Sequence, residues 1–155
     1  MGRVDAETLR TIQRPLKDRY RSEPGTAVVT LRAQGSLSGS EVACSAQTGR
    51  ALVEAGLHPA TGGDGSFACS GDMLLQALVA CAGVTLRSVA TNRGLAVTGA
   101  VRAEGDLDFR GTLGVDREAP VGFRSIRLIF DLHSDASQDE ISELIKTTER
   151  YCVVY

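Results

Sequence analysis

Leu74-Leu75-Gln76-Ala77-Leu78-Val79-Ala80-Cys81-Ala82-Gly83 is the stretch whose reading decides the fold. Its apolar residues recur at helical spacing and give two stripes. Leu75, Val79, Ala82, Leu86 and Val89 make one, and Leu74, Ala77, Leu78 and Cys81 make the other. Ser70 or Asp72 caps the helix, which runs from about Asp72 to Arg93, and Gly94 stops it. Two apolar stripes predict a helix covered on most of its sides. The run Ala80-Cys81-Ala82-Gly83 carries small side chains only. Gly83 costs about 1 kcal/mol of helix propensity, which close approach of another element at that level would offset.

Outward from this helix the periodicity changes. Asp5 to Arg21 reads as a charged helix interrupted by Pro15. Ala27 to Ala33 reads as a strand, and Glu41 to Ala46 alternates as a half-buried strand does. Gly35 to Ser40 joins these two as a hairpin loop, and Arg50 to Glu54 makes a third short strand. The glycine-rich loop from His58 to Ser66 fits no phosphate-binding spacing and reads as surface. After the long helix, alternation predicts strands at Ala96 to Gly105, Phe109 to Val115 and Phe123 to Leu132. Ser137 with Glu140 forms a capping box for a last helix, Gln138 to Tyr151, with Ile141, Leu144, Ile145 and Thr148 on its apolar stripe. Strands cluster instead of alternating singly with helices, which predicts an α+β fold with antiparallel sheets.

The chain has 155 residues, enough for one domain with a core of its own. It is read as a single domain over residues 1–155, with residues 1–25 as a helical extension. A formal net charge of −2 lacks the basic excess of a nucleic-acid surface. No apolar run approaches the roughly 20 residues that span a bilayer, and Met1 to Tyr20 has no signal-peptide core. The expectation is a cytoplasmic protein without membrane or nucleic-acid partners. With 4 cysteines, 2 separate histidines and no CxxC or CxxH pair, no metal site is expected. P-loop, GxGxxG and GxSxG patterns are also missing.

Two of the cysteines, Cys81 within the long helix and Cys152 at the end of the last one, admit two readings. Brought together by the fold, they make a redox dithiol; kept apart, they are ordinary buried residues. Cys44 reads as a core residue on its strand. Cys69 lies about 18 Å from Cys81 along a helix that begins there. His58 and His133 read as surface residues.

Four segments, in this order and spacing, resemble the OsmC/Ohr family of osmotically inducible and organic-hydroperoxide-resistance proteins. They are Leu74 to Cys81, Ala103-Glu104-Gly105-Asp106-Leu107-Asp108, Val121-Gly122-Phe123-Arg124-Ser125-Ile126 and Glu149-Arg150-Tyr151-Cys152-Val153-Val154. The resemblance implies an OsmC-like fold, with antiparallel sheets wrapped around a long central helix in an intertwined homodimer. It implies a thiol-dependent peroxidase that reduces organic hydroperoxides or hydrogen peroxide, with Cys81 as the peroxidatic and Cys152 as the resolving cysteine. The partners implied are a peroxide substrate and a dithiol reductant, with no cofactor and no metal. The family's Asn-Pro-Glu stretch is here Ser70-Gly71-Asp72, with Gly71 at the glutamate position. Asp72, nine residues before Cys81, is about 900° around the helix, half a turn out of phase, and about 13.5 Å away. Val153 stands where the family often has proline.

A thiol attacks peroxide as thiolate, and an apolar setting opposes that form. Cys81 is too deep in its helix to feel the N-terminal dipole. A cation is therefore expected beside it, with Arg32, Arg50, Arg124 and Arg127 as candidates. Arg87 points away from the Cys81 side. A reading from another class is a non-catalytic dimeric module that binds an apolar ligand at the subunit interface, its cysteines lining the groove.

Overall fold

The computed structural model describes residues 5–8, 10–11, 13–14, 22, 34–36, 43–48, 51–113 and 116–155. The strand expected at Ala27 to Ala33, and also Pro15, Arg32 and Arg50, lie outside the described residues. Residues 6–8, 10–11 and 13–14 are helical, within the stretch from Asp5 read as a charged helix.

β1 (Gln34–Ser36), β2 (Ala43–Thr48), β3 (Ala51–Gly56) and β4 (Ala68–Cys69) form a sheet in that order. β1 pairs antiparallel with β2, so Gly35 and Ser36 belong to a strand and not to the expected loop. β2 and β3 are antiparallel with Thr48 opposite Ala51 and Cys44 opposite Ala55. β4 adds a short parallel pairing, Gly56 opposite Cys69, that alternation over two residues could not announce. The loop before it holds a 3-10 turn, Pro59–Thr61, with proline at its start where no N–H is missed.

α1 (Ser70–Arg93) follows directly, with Asp72 in its first turn. It ends in a left-handed Gly94, φ 70°. The N–H of Leu95 donates to the Ala90 carbonyl (2.9 Å) and that of Gly94 to Thr91 (3.1 Å). These two bonds satisfy carbonyls that a helix end leaves free. The Arg10 guanidinium donates to a further one, the Asn92 carbonyl, at 2.7 Å.

β5 (Thr98–Leu107) and β6 (Phe123–His133) form a second sheet. Ser125 meets Asp106, Arg127 meets Glu104, and Gly99 faces Asp131, so the strands run antiparallel. Gly99 holds φ 122°, and a Cβ there would lie 2.0 Å from the Asp131 carbonyl oxygen. The strand expected from Phe109 to Val115 is corrected: Phe109–Thr112 is a single helical turn, α2. The Leu113 N–H closes back on the Phe109 carbonyl. A Cβ at Gly111 would come within 2.6 Å of the Ala119 carbonyl oxygen, so close backbone packing outweighs a short alternation.

α3 (Gln138–Tyr151) carries the capping box read from Ser137 and Glu140. Leu144 and Thr148 on its stripe are fully buried.

By internal packing the chain divides into two units. One comprises residues 1–30, 80–101 and 130–155, and its core joins Leu86 and Ala90 of α1 to Val97 and Leu144. Val89, Leu95, Phe130, Leu132 and Ile141 pack against it. The other comprises residues 31–79 and 102–129.

The long helix departs from expectation in its cover. Leu78, Ala82, Leu86 and Ala90, spaced four apart, are buried. Elsewhere the helix is open: Val84 is 71% exposed, and Leu74, one step before Leu78 on the same spacing, is 49% exposed. A Cβ added at Gly83 would meet nothing within 4 Å. Within one chain this helix is therefore covered along one stripe, not on most sides. It also holds an 18-residue window of mean hydropathy 1.6, long and apolar enough to cross a membrane by length and composition alone. The expectation that no stretch meets this measure is corrected.

Candidate active site

The fold brings Cys81 and Cys152 together across 71 positions of sequence. α1 presents Cys81 one residue before Ala82, which is fully buried, so the sulfur sits at the edge of the buried stripe. α3 delivers Cys152. Its last turns are anchored by Leu144 and Thr148, both at 0% exposure. The Thr148 hydroxyl is satisfied by the Leu144 carbonyl at 2.8 Å. Cys152 caps the helix: its N–H donates to the Thr148 carbonyl and its backbone turns extended, φ −73° and ψ 118°. This turn aims the side chain back at α1.

The Cys152 thiol donates to the Cys81 sulfur across 3.2 Å. A disulfide needs about 2.05 Å, so a closing movement of about 1 Å would join them. Cys152 is buried and Cys81 half-buried. The Cys81 thiol is held below its ordinary value, first by the bond from Cys152, against burial, which pushes the other way. The nearby Val154 and Val153 amides and the Thr85 hydroxyl contribute smaller lowering effects. Among the described residues, Arg124 and Arg127 do not contribute to this lowering, and Arg32 and Arg50, the other candidates, lie outside the described residues. Thr85 was not singled out from sequence, although its position four residues after Cys81 puts both on one helix face.

The arginine candidates fare differently. Arg127 is bound to Asp106 (3.0 Å) and Glu104 (3.4 Å) and shares Asp106 with Ser125. This pairing holds the Asp106 carboxyl well below the usual carboxylate range and raises Arg127. Arg124 is exposed on β6 and adds a weaker attraction to Asp106. Arg87 donates to the Val97 carbonyl at 2.9 Å. Arg32 and Arg50 lie outside the described residues.

Cys69 is half-buried on β4. Its sulfur lies 3.6 Å from where a Gly71 Cβ would be, with Phe123 and Leu107 close to the same point. Gly71, the glutamate position of the resemblance, thus sits in an apolar corner, and Asp72 is exposed. A cavity of about 180 Å³ opens here, lined by His58, Cys69, Asp72, Leu107, Phe109 and Phe123 among others. His58, expected at the surface, is half-buried instead. Its Nδ1 accepts from the Ala60 N–H at 3.0 Å, and its ring stacks on Phe109 at 5.0 Å. His133 is exposed, as expected. Cys44 lies on β2. Among the described residues no group of three or more His, Cys, Asp or Glu could hold a metal ion.

A mixed α+β chain in which a long helix and a terminal helix juxtapose two thiols is a redox-capable architecture. The family it falls in follows from comparison with known proteins. The OsmC-like protein family matches residues 63–155, more than half of the chain, and the chain belongs to that family. An OsmC-like protein from Mycoplasma pneumoniae has a similar structure, with TM-score 0.66 at 20% identity over 81% of this chain and 84% of its own. An OsmC-like protein of unknown function from Vibrio cholerae gives 0.63 at 11% identity, covering 82% of this chain and 92% of its own. The organic hydroperoxide resistance protein OsmC from Legionella pneumophila, a predicted redox protein, gives 0.59 at 17%, covering 82% and 87%. At these identities the likeness shows the fold. No curated protein matches the chain.

Proposed function

We propose that this protein is a thiol-dependent peroxidase that reduces organic hydroperoxides through a Cys81–Cys152 dithiol cycle. The observation that carries the reading is the 3.2 Å approach of the two sulfurs, with Cys152 as donor. The lowered Cys81 thiol supports the division of labour. Cys81 thiolate attacks the distal peroxide oxygen; the S–O bond forms, the O–O bond breaks, and the alkoxide leaves and takes a proton as alcohol. Cys81 is then a sulfenic acid. Cys152 sulfur attacks it, the disulfide closes, and the oxygen leaves as water. An external dithiol reopens the disulfide by exchange and is itself oxidised to a disulfide. A cytoplasmic setting, kept reducing, fits the need for such a dithiol.

The homodimer is part of the proposal. Leu74 and Val84 on α1 are exposed apolar side chains that a second copy would cover. Covered in this way, they would favour an alkyl hydroperoxide over hydrogen peroxide. The same side chains favour the competing reading, a dimeric module that binds an apolar ligand without chemistry.

The test is peroxide consumption with an excess of a small dithiol, comparing cumene hydroperoxide and hydrogen peroxide. Wild type is expected to turn over, faster on the organic substrate, and Cys81→Ser to lose turnover. A wild type that consumes neither peroxide, or a Cys81→Ser variant as active as wild type, overturns the peroxidase and leaves the binding module.

A further inference from the structure

We propose that Arg93 is a positioning residue for the dithiol: by holding Thr147 and Glu143 it fixes the tilt of α3 and keeps Cys152 against Cys81. The inference rests on a Cys81–Cys152 disulfide being part of the cycle and deepens that reading. Arg93 lies in the last turn of α1, 12 residues beyond Cys81. Its guanidinium donates to the Thr147 hydroxyl oxygen at 2.8 Å and lies 3.9 Å from the Glu143 carboxylate. The Thr147 hydroxyl is itself oriented, because it donates to the Glu143 carbonyl at 2.7 Å. Thr147 and Glu143 stand one turn apart on one face of α3, beside the buried Leu144 and Thr148. Cys81 meets the end of α3 and Arg93 meets its middle, so the two helices run antiparallel. Leu144 shares one core cluster with Leu86 and Ala90 of α1. It acts as the pivot. Leu144 is 8 residues from Cys152, or about 12 Å along the helix axis, so a tilt of about 5° there displaces Cys152 by about 1 Å. The sulfurs stand 3.2 Å apart and a disulfide needs about 2.05 Å. A tilt of that size is as large as the closing movement itself. Apolar contacts such as those of Leu144 are non-directional and resist it weakly. A guanidinium bonded to a hydroxyl and facing a carboxylate is directional. Its side chain is 34% exposed and that of Glu143 61%, so the pair adds little to stability. What it adds is geometry: with Arg93 in place the two thiols meet more often, and the disulfide between them is favoured.

The test is the redox equilibrium of the full chain with glutathione and glutathione disulfide. The Cys81–Cys152 bond forms, the glutathione S–S bond breaks, and the two protons of the dithiol leave on two glutathione thiols. The fraction closed is read by acid quenching, alkylation and peptide mass spectrometry. Arg93→Ala is expected to move the equilibrium toward the dithiol by about threefold to tenfold, tenfold being about 30 mV. Thr147→Val keeps the shape and removes the acceptor, and should move it as far. The double variant should move it no further than either single one, because the two residues act as one contact. Arg93→Lys keeps a charged donor and should restore most of the wild-type value. Ser137→Ala is the control for lost stability. Destabilisation shared by both redox forms leaves their equilibrium in place, so this variant should lower the thermal midpoint without moving the equilibrium. If Arg93→Ala leaves the equilibrium unmoved, or if Ser137→Ala moves it as far, the proposal is overturned. A wild type that closes no Cys81–Cys152 disulfide at any glutathione ratio overturns the dithiol cycle and the proposal together. Peroxide turnover measured alongside separates the two readings. A wild type that ignores peroxide, while Arg93→Ala still moves the equilibrium, overturns the peroxidase and keeps the role of Arg93. Turnover with an unmoved equilibrium overturns the role of Arg93 alone.

Discussion

Two thiols at hydrogen-bond distance are not equivalent when one donates to the other. Cys152 donates a hydrogen bond to the Cys81 sulfur, which stabilises charge on Cys81. Negative charge therefore gathers on Cys81. Cys152→Ser should leave one turnover and then strand Cys81 as sulfenic acid, seen by mass spectrometry as a gain of one oxygen; continued turnover at the wild-type rate would remove Cys152 from the cycle. A second residue-scale expectation concerns Asp106. Its carboxyl is depressed below the ordinary 3.8 by the bonds from Arg127 and Ser125. A depressed folded value means stability that is present above about pH 4 and lost as pH falls through the folded value. The group is exposed, so the effect is modest. Urea midpoints measured from pH 7 to pH 2 should fall less steeply in Asp106→Asn than in wild type. Equal slopes would show that the pair contributes nothing to stability.

At the scale of elements, α3 depends on its first turn to place Cys152. The Ser137 hydroxyl accepts the Glu140 N–H, and the Glu140 carboxylate accepts the Ser137 N–H at 2.8 Å. Ser137→Ala removes one half of this reciprocal pair and should destabilise by about 1 kcal/mol, measured as a lowered thermal midpoint with the two sulfurs still able to pair. An unchanged midpoint would mean that the box is dispensable because Leu144 and Thr148 hold the helix by packing alone. The capping box, the stop at Gly94 and the apolar stripe of α3 were all legible, because each is a local pattern whose physics lies within a few residues. α2 was not legible. Two or three alternating residues after Asp108 suit a strand as well as a turn, and the backbone of residues 119–120 packed against Gly111 decides between them.

At the scale of the whole molecule, α1 leaves apolar side chains such as Val84 open in one chain. Gly83 lies on this helix with no neighbour within 4 Å of a Cβ. One chain alone gives no reason for a glycine there, whereas a second copy packed at that level would. The wild-type protein is accordingly expected to run at twice the mass of one chain by light scattering. Gly83→Leu should weaken the association by about 1–3 kcal/mol through overpacking and leave the helical circular dichroism of the chain intact. A monomeric wild type, or a Gly83→Leu variant that associates as tightly, would remove the dimer.

The sequence by itself determined the elements that local periodicity and capping can specify: the long helix, the capped last helix, the strands near Glu41 to Ala46, Arg50 to Glu54, Ala96 to Gly105 and Phe123 to Leu132, and hence the α+β class. Four short segments in order were enough for the family, because helix, turn and strand patterns at set spacing constrain one another. Sequence also singled out Cys81 and Cys152, but left their redox and inert readings both open until the resemblance weighed between them. Only the tertiary structure decided that the sulfurs meet, since 71 intervening positions carry no local signal of contact. Only it showed that Cys152 is the thiol that donates to Cys81. The physical reason is that a contact between distant residues is set by the packing of whole elements: Leu144 and Thr148 seat α3, and the turn of the chain at its end brings Cys152 to Cys81.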